Sequence, residues 1–261
     1  MPARAATIVQ SMTNPDTGTA HTPAEDRTDT VGMDRPHAAR GGARSPVSAE
    51  HPGIDELYGL LAYGQISAFY RLTSDAATMA PTVRGKVSMA RLAATDHEHF
   101  ELLSGALADR GRDVFDAMAP YEQTIEQFHA STTPSSWLES LVKAYIGDGL
   151  AADFHREIVA ALPEEIRSVV SETLEETARS EFVVAEVRAA IEKTPQVRSR
   201  LALWARRLLG EAVTQAQYVA LQREALAELV VAAAGDINHL AELFDRIQDE
   251  HAKRMEQLGL G

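Results

Sequence analysis

Asp96 and His99 are the residues of this sequence whose types and spacing could most directly do chemistry. Both fall on the apolar stripe formed by Leu92 and Leu103, so a helix would present them inward, one turn apart. A carboxylate three residues before a histidine is the ligand pattern of helix bundles that hold two metal ions, here with Asp in place of Glu. The alternative is a hydrogen-bonded Asp–His pair in a bundle core, because a buried charge needs a partner.

Gln65 is a polar residue near the inward stripe of the preceding predicted helix. In an antiparallel helix pair its position could be level with Asp96, where a carboxylate would act as a metal ligand. A neutral amide is a poor ligand for such a metal. The alternative interpretation is a core amide that its neighbours satisfy.

Asp148 stands between Gly147 and Gly149 in a stretch that otherwise favours a helix. Two glycines inside a helix cost roughly 1 kcal/mol each relative to Ala, so their presence around an acid indicates a special need. Asp148 could be a further metal ligand, or the glycines could permit a close helix crossing or a kink. Asp153 is a second candidate acid on the same helix.

Glu176 and Arg179 occupy the positions at which a second acid-x-x-His pattern would fall. Arginine cannot bind a cation, but an inward Arg179 would neutralise a cluster of carboxylates. The alternative is a surface ion pair between Arg179 and Glu175, which are four residues apart.

These residues require helices to position them, and the sequence from Ile54 onward predicts helices only. Apolar residues recur every three to four positions, and there are no alternating β-branched runs joined by an Asn-Gly or Asp-Gly turn into a hairpin. Long helices joined by short connections favour an antiparallel bundle. The predicted helices span residues 53–79, 81–110, 113–130, 134–161, a fourth long helix from 163, 195–234 and 236–258.

Residues 1–52 differ from the rest, with six of the eleven prolines and no sustained apolar period. We expect a disordered tail there and one helical domain over residues 53–261.

The sequence has no cysteine, which excludes disulfides, thiolate nucleophiles and zinc–thiolate sites. No signal peptide and no apolar run of the ~20 residues that a membrane span needs are apparent, so we expect a cytoplasmic protein without a membrane partner.

The net charge of -13 argues against nucleic-acid binding through the overall field. Residues 188–207 depart from this average, with six basic residues and one acid. A solvated helix face is the simpler interpretation of this basic segment, and contact with phosphate is the alternative.

Four stretches of the sequence resemble actinobacterial ferritin-like proteins. That group is related to the di-iron hydroxylase that modifies 2-methylthio-isopentenyladenosine in tRNA, and the resemblance extends over about residues 54–260. The stretches are LLAYG (60–64), VKAYIGDG (142–149), SEFVV (180–184) and HAKRMEQLGL (251–260).

The resemblance implies a ferritin-like antiparallel four-helix bundle with two additional C-terminal helices. It also implies one or two iron ions, with Asp96, His99, Asp148 and Glu176 matching the family's ligands in type. Gln65 and Arg179 stand at ligand positions to which they are unsuited, and Glu181 is the alternative to Glu176.

The implied activity is hydroxylation of a modified tRNA base or a small molecule. A non-catalytic structural or interaction protein, with a homodimer as one option, is the alternative.

Overall fold

The computed structural model describes residues 47–159, 161–173, 179–235 and 237–261. All regular structure in these ranges is helical, which confirms the predicted all-α class. The α-helices are α1 (Pro52–Thr78), α2 (Val83–Asp109), α3 (Val114–Met118), α4 (Glu122–Ser131), α5 (Trp137–Val159), α6 (Glu164–Glu172), α7 (Arg179–Lys193), α8 (Val197–Gln222), α9 (Glu224–Ala234) and α10 (Ile237–Gln257).

Helices α1 and α2 form the most extensive helix pair of the described chain. The pair is antiparallel, because Asp55 near the start of α1 binds Arg110 just beyond the end of α2, and Phe69 meets the His97 ring at 5.2 Å. α5 packs against α7, and α6 contacts both α2 and α5, so α6 and α7 together take the place of the fourth helix of a bundle.

The three remaining helices cover the outside of this arrangement. α8 packs on α4 and α5, α9 packs on α1, and α10 packs on α5. The core runs through all of these contacts and includes Leu57, Leu61 and Leu72 of α1.

Several helix ends match the sequence prediction. Thr82 caps α2 by accepting a hydrogen bond from the Gly85 N–H at 3.0 Å. Gly111, which directly follows the predicted helix 81–110, has φ +68°, the left-handed conformation that glycine adopts readily after a helix end. α5 begins at Trp137 rather than at the predicted Pro134, because Glu139 reaches back to the Ser135 N–H at 2.7 Å and so fixes a later start.

Three predicted helices were wrong in their continuity. The connecting helix 113–130 is interrupted by a 3-10 turn at Ala119–Tyr121, where Pro120 has no N–H to donate. The fourth predicted helix does not continue past Glu172, since α6 ends there and Thr173 lies in a turn; residues 174–178 lie outside the described residues.

The predicted helix 195–234 breaks at Arg223, which leaves the helical region with φ -119° and ψ 81°. The Arg223 guanidinium binds Glu56 of α1 at 2.9 and 2.6 Å. This contact holds the break where α9 turns back onto α1.

The chain is already packed before the predicted domain start at residue 53. Val47 is buried, and its N–H donates to the Ala161 carbonyl at 3.1 Å. Residues 1–46, to which most of the predicted tail belongs, lie outside the described residues.

No helix in the described ranges is sufficiently long and apolar to span a membrane.

Candidate functional site

A cavity of about 700 Å³ lies between α1, α4, α5, α8 and α9, with α10 closing one side. Its volume falls in the range of roughly 300–1,000 Å³ that is usual for small-molecule sites. Most of the wall is apolar and is formed by small and branched side chains from every one of these helices. Representative wall residues are Leu61, Ile125, Phe128, Val219, Leu226 and Ile247.

Polar groups gather in one region of this wall, where the C-terminal half of α1 meets α4 and the start of α5. The Ser140 hydroxyl donates to the Asp75 carboxylate at 2.5 Å, which joins α5 to α1. Arg71 forms an ion pair with Glu126 of α4. Tyr63 and Tyr70 also donate to that carboxylate, so Glu126 has three partners.

Lys143 is the other cation in this region, and its side chain lines the cavity. Its Nζ donates to the Thr132 carbonyl at 2.8 Å and lies 5.5 Å from the centre of the Phe128 ring. Among the described residues it forms no ion pair. Burial, assisted by the Arg71 charge, lowers the pKa of Lys143 to about 8, so the ammonium is still mainly charged at pH 7.

His129 also lines the polar region, and its Nδ1 is buried without a hydrogen-bond partner in the described part of the chain. Burial lowers its pKa to about 3, with the Lys143 and Arg71 charges acting in the same direction. The imidazole is therefore neutral at pH 7.

The structure brings two of the predicted site residues to this cavity. Gln65 of α1 and Asp148 of α5 both line it. Asp96 and His99 lie on α2, which contributes no residue to the wall, although Asp96 is only 1% exposed as the inward stripe predicts. Phe69 of α1 contacts His97 of α2, and the two helices are antiparallel. Gln65, one turn before Phe69, is therefore level with the turn of α2 that follows His97.

The fourth-helix candidates have different outcomes. Glu176 lies outside the described residues, and so does the Arg179 side chain, although its backbone begins α7. Glu181, the alternative ligand, is exposed on α7 and does not face the bundle core.

The described residues do not by themselves fit the di-iron centre that the fold implies. Within the described ranges, no group of three or more His, Asp or Glu side chains is arranged to hold a metal ion. Gln65 brings a neutral amide where a carboxylate is needed. We therefore assign no reaction step to iron, and the ligand set that includes Glu176 stays a prediction.

The two glycines beside Asp148 have different surroundings. A Cβ on Gly149 would overlap the Arg254 guanidinium of α10, whereas a Cβ on Gly147 would meet nothing within 4 Å and would stand in the cavity wall. The helix is continuous through both positions, and the predicted close crossing is found at Gly149.

The close crossing at Gly149 lets Arg254 reach Asp153, the second candidate acid. Two guanidinium nitrogens bind the two Asp153 oxygens at 2.5 Å each, and Arg156 adds a contact of 2.9 Å. Both partners of the main pair are buried, at 3% exposed for Asp153 and 7% for Arg254. Asp153 is therefore a structural ion-pair partner.

Sequence reasoning missed Arg254 and Lys143. For Arg254 a signal was present, because Ile247, His251, Arg254 and Leu258 share the core stripe of α10, and a charge on such a stripe needs a partner.

A scan against protein families matches residues 50–233 to the domain described as "Ferritin-like domain, actinomycetes". The chain belongs to this ferritin-like family. The predicted ferritin-like fold is therefore confirmed, and the packing of α1, α2, α5 and the α6–α7 pair agrees with it. A comparison with curated proteins finds no match for the chain.

Proposed function

We propose that this ferritin-like protein binds an apolar small molecule in the cavity between α1, α5, α8 and α9. The observation that carries the proposal is a pocket of about 700 Å³ with predominantly apolar walls. Sites for small molecules are concave and are lined mostly by hydrophobic side chains. Filling such a space with an apolar ligand removes apolar surface of both partners from water.

Binding of the neutral fluorescent probe N-phenyl-1-naphthylamine tests this proposal. Gly147→Met would extend a side chain into the cavity from a position with open space around the missing Cβ. We expect the variant to bind the probe roughly tenfold more weakly, which corresponds to about 1.4 kcal/mol.

Gly105→Met is the matched control, because Gly105 is also helical and open but lies on α2 outside the cavity wall. It should bind the probe like the wild type. Equal affinities of the wild type and both variants, or no binding by the wild type, would contradict the proposal.

Di-iron hydroxylation is the second candidate function, and the burial of Asp96 one turn from His99 favours it. Anaerobic reconstitution with Fe(II), followed by metal analysis, tests it. About two irons per chain are expected, with loss of metal in His99→Ala and no loss in the control His97→Ala. A wild-type protein that retains no iron would reject this candidate.

A tRNA substrate is expected only if the protein is a di-iron hydroxylase. In the basic segment 188–207, Arg188 donates to the Gln257 carbonyl at 2.6 Å, and Arg200 pairs with Glu139 at 3.4 Å. Arg198 and Arg207 also donate to backbone carbonyls of the same chain. These contacts give the segment a role in packing, so the support for tRNA comes from the sequence resemblance. Binding of a tRNA transcript that weakens steeply with salt would favour tRNA as the substrate.

A further inference from the structure

The charged groups of the polar cavity region are not equally satisfied. Arg71 has Glu126 as its partner, and Asp75 accepts from Ser140. Lys143 has only the Thr132 carbonyl, so two of its three N–H bonds have no acceptor among the residues that the structure describes.

An ammonium at such a position is costly unless an anion approaches it. Burying a charge without a partner is unfavourable, and the lowered pKa of Lys143 has burial as its largest cause. Asp75 and Glu126 favour the charged form from a distance, but neither lies within the 4.0 Å of an ion pair, and Arg71 opposes them. A ligand anion at Nζ would supply the missing acceptor.

The position of this ammonium relative to the apolar wall defines the shape of the ligand. Lys143 and Arg71 belong to the polar region, whereas the α8, α9 and α10 parts of the wall are apolar and continue the same cavity. A molecule that filled the whole space would have one charged end and a long apolar body.

We propose that the cavity binds an amphipathic monocarboxylate, with its carboxylate on Lys143 and its hydrocarbon chain along α8 and α9. This inference rests on the proposed function and specifies the ligand class of the same site. A single carboxylate fits better than a phosphate, because Lys143 is the one cation of the polar region without an acidic partner among the described residues. Bidentate recognition of a phosphate needs an arginine, and Arg71 is already bound by Glu126.

Isothermal titration calorimetry with three C12 ligands tests the inference, with the two ionic ligands below their micellar concentrations and the alcohol below its solubility limit. The ligands are dodecanoate, dodecan-1-ol and dodecyltrimethylammonium, which share the chain and differ in headgroup charge. We expect the wild type to bind dodecanoate roughly tenfold more tightly than the alcohol and the cation most weakly, since a charge-assisted hydrogen bond favours only the carboxylate.

Three substitutions identify the residue responsible. Lys143→Met keeps an apolar stem of similar length and should bind dodecanoate no better than dodecan-1-ol, while Lys143→Arg should retain most of the preference. Lys86→Met is the matched control, because Lys86 is exposed on α2 outside the cavity wall, and it should behave as the wild type.

The outcomes separate the two proposals. Equal wild-type affinity for all three ligands would overturn the monocarboxylate inference and leave apolar binding intact. A dodecanoate preference that survives in Lys143→Met would also overturn it. If none of the ligands binds to the wild type, both proposals fail. Binding of dodecan-1-ol to Lys143→Met shows that this variant has folded with its cavity formed.

Discussion

Helix α5 carries a buried charge on one side and a half-buried charge on another, and only the first has a full set of partners. On the side toward α10, Asp153 is bound by both terminal nitrogens of Arg254, and Arg156 adds a third contact. On the side toward α1 and α4, Lys143 has one backbone carbonyl and faces a cavity. The first side is closed by a neighbouring helix of the same chain, and the second is open to a ligand.

The glycines of α5 repeat this difference two residues apart. The space beside Gly149 is filled, since the Arg254 guanidinium lies where a Cβ would be. Gly147 instead borders open space. The same residue type therefore permits close packing at one position and leaves volume at the other. On the proposal above, the incompletely satisfied charge beside the cavity, and not the fully paired one, marks the binding site.

Removing the partner on the closed side should have the largest effect on stability. Arg254→Met leaves Asp153, 3% exposed, with only the Arg156 contact, and we expect a loss of about 3–5 kcal/mol in the free energy of unfolding. Urea denaturation measures it. The control Arg246→Met breaks the more exposed pair with Glu157 and should cost at most about 1 kcal/mol. Equal losses in both variants would contradict the comparison.

Acid should destabilise the closed side through His251, which is 3% exposed and one turn before Arg254. Burial, together with the Arg254 charge, lowers the pKa of His251 from 6.5 to about 4. Because the unfolded chain takes up the proton first, the stability from the neutral ring is complete above about pH 6.5. It is lost as the pH falls toward about 4.

His251→Phe should remove this part of the pH dependence, which amounts to roughly 3 kcal/mol across the window. Urea unfolding at pH 7.0 and pH 5.0 gives the difference for each protein. The wild type should lose more stability between these pH values than the variant. The same loss in both would show that the ring is not kept neutral by its surroundings.

The sequence was sufficient to predict the helical class and the position of most helices, because these signals are local. Apolar residues at three- and four-residue spacing predicted the α1 and α2 stripes, and Gly111 marked the end of α2. The break at Arg223 has no glycine or proline beside it and depends on Glu56, 167 residues earlier in the chain, so no local pattern could reveal it. Continuity of a helix is decided by such distant contacts as well as by propensity.

For the candidate site, the sequence located polar residues on core stripes but not their neighbours. Asp148 and Gln65 were identified in this way and do line the cavity. Lys143 gave no such signal, since lysine stems are routinely buried while their ends reach water. The cavity itself results from how several helices fail to fill one space, which no single stripe encodes.

The smallest predicted effects concern the two glycines, and they test the comparison most directly. Gly149→Ala should destabilise the protein by roughly 1–3 kcal/mol, because its Cβ must displace the Arg254 guanidinium from a packed position. Gly147→Ala should instead stabilise it by up to about 1 kcal/mol, because alanine is the better helix former and its methyl group enters open space. Thermal and urea unfolding of the two variants side by side provide the measurement. Opposite signs are expected two residues apart on one helix, and a shared sign would mean that the two sides of α5 do not differ in packing.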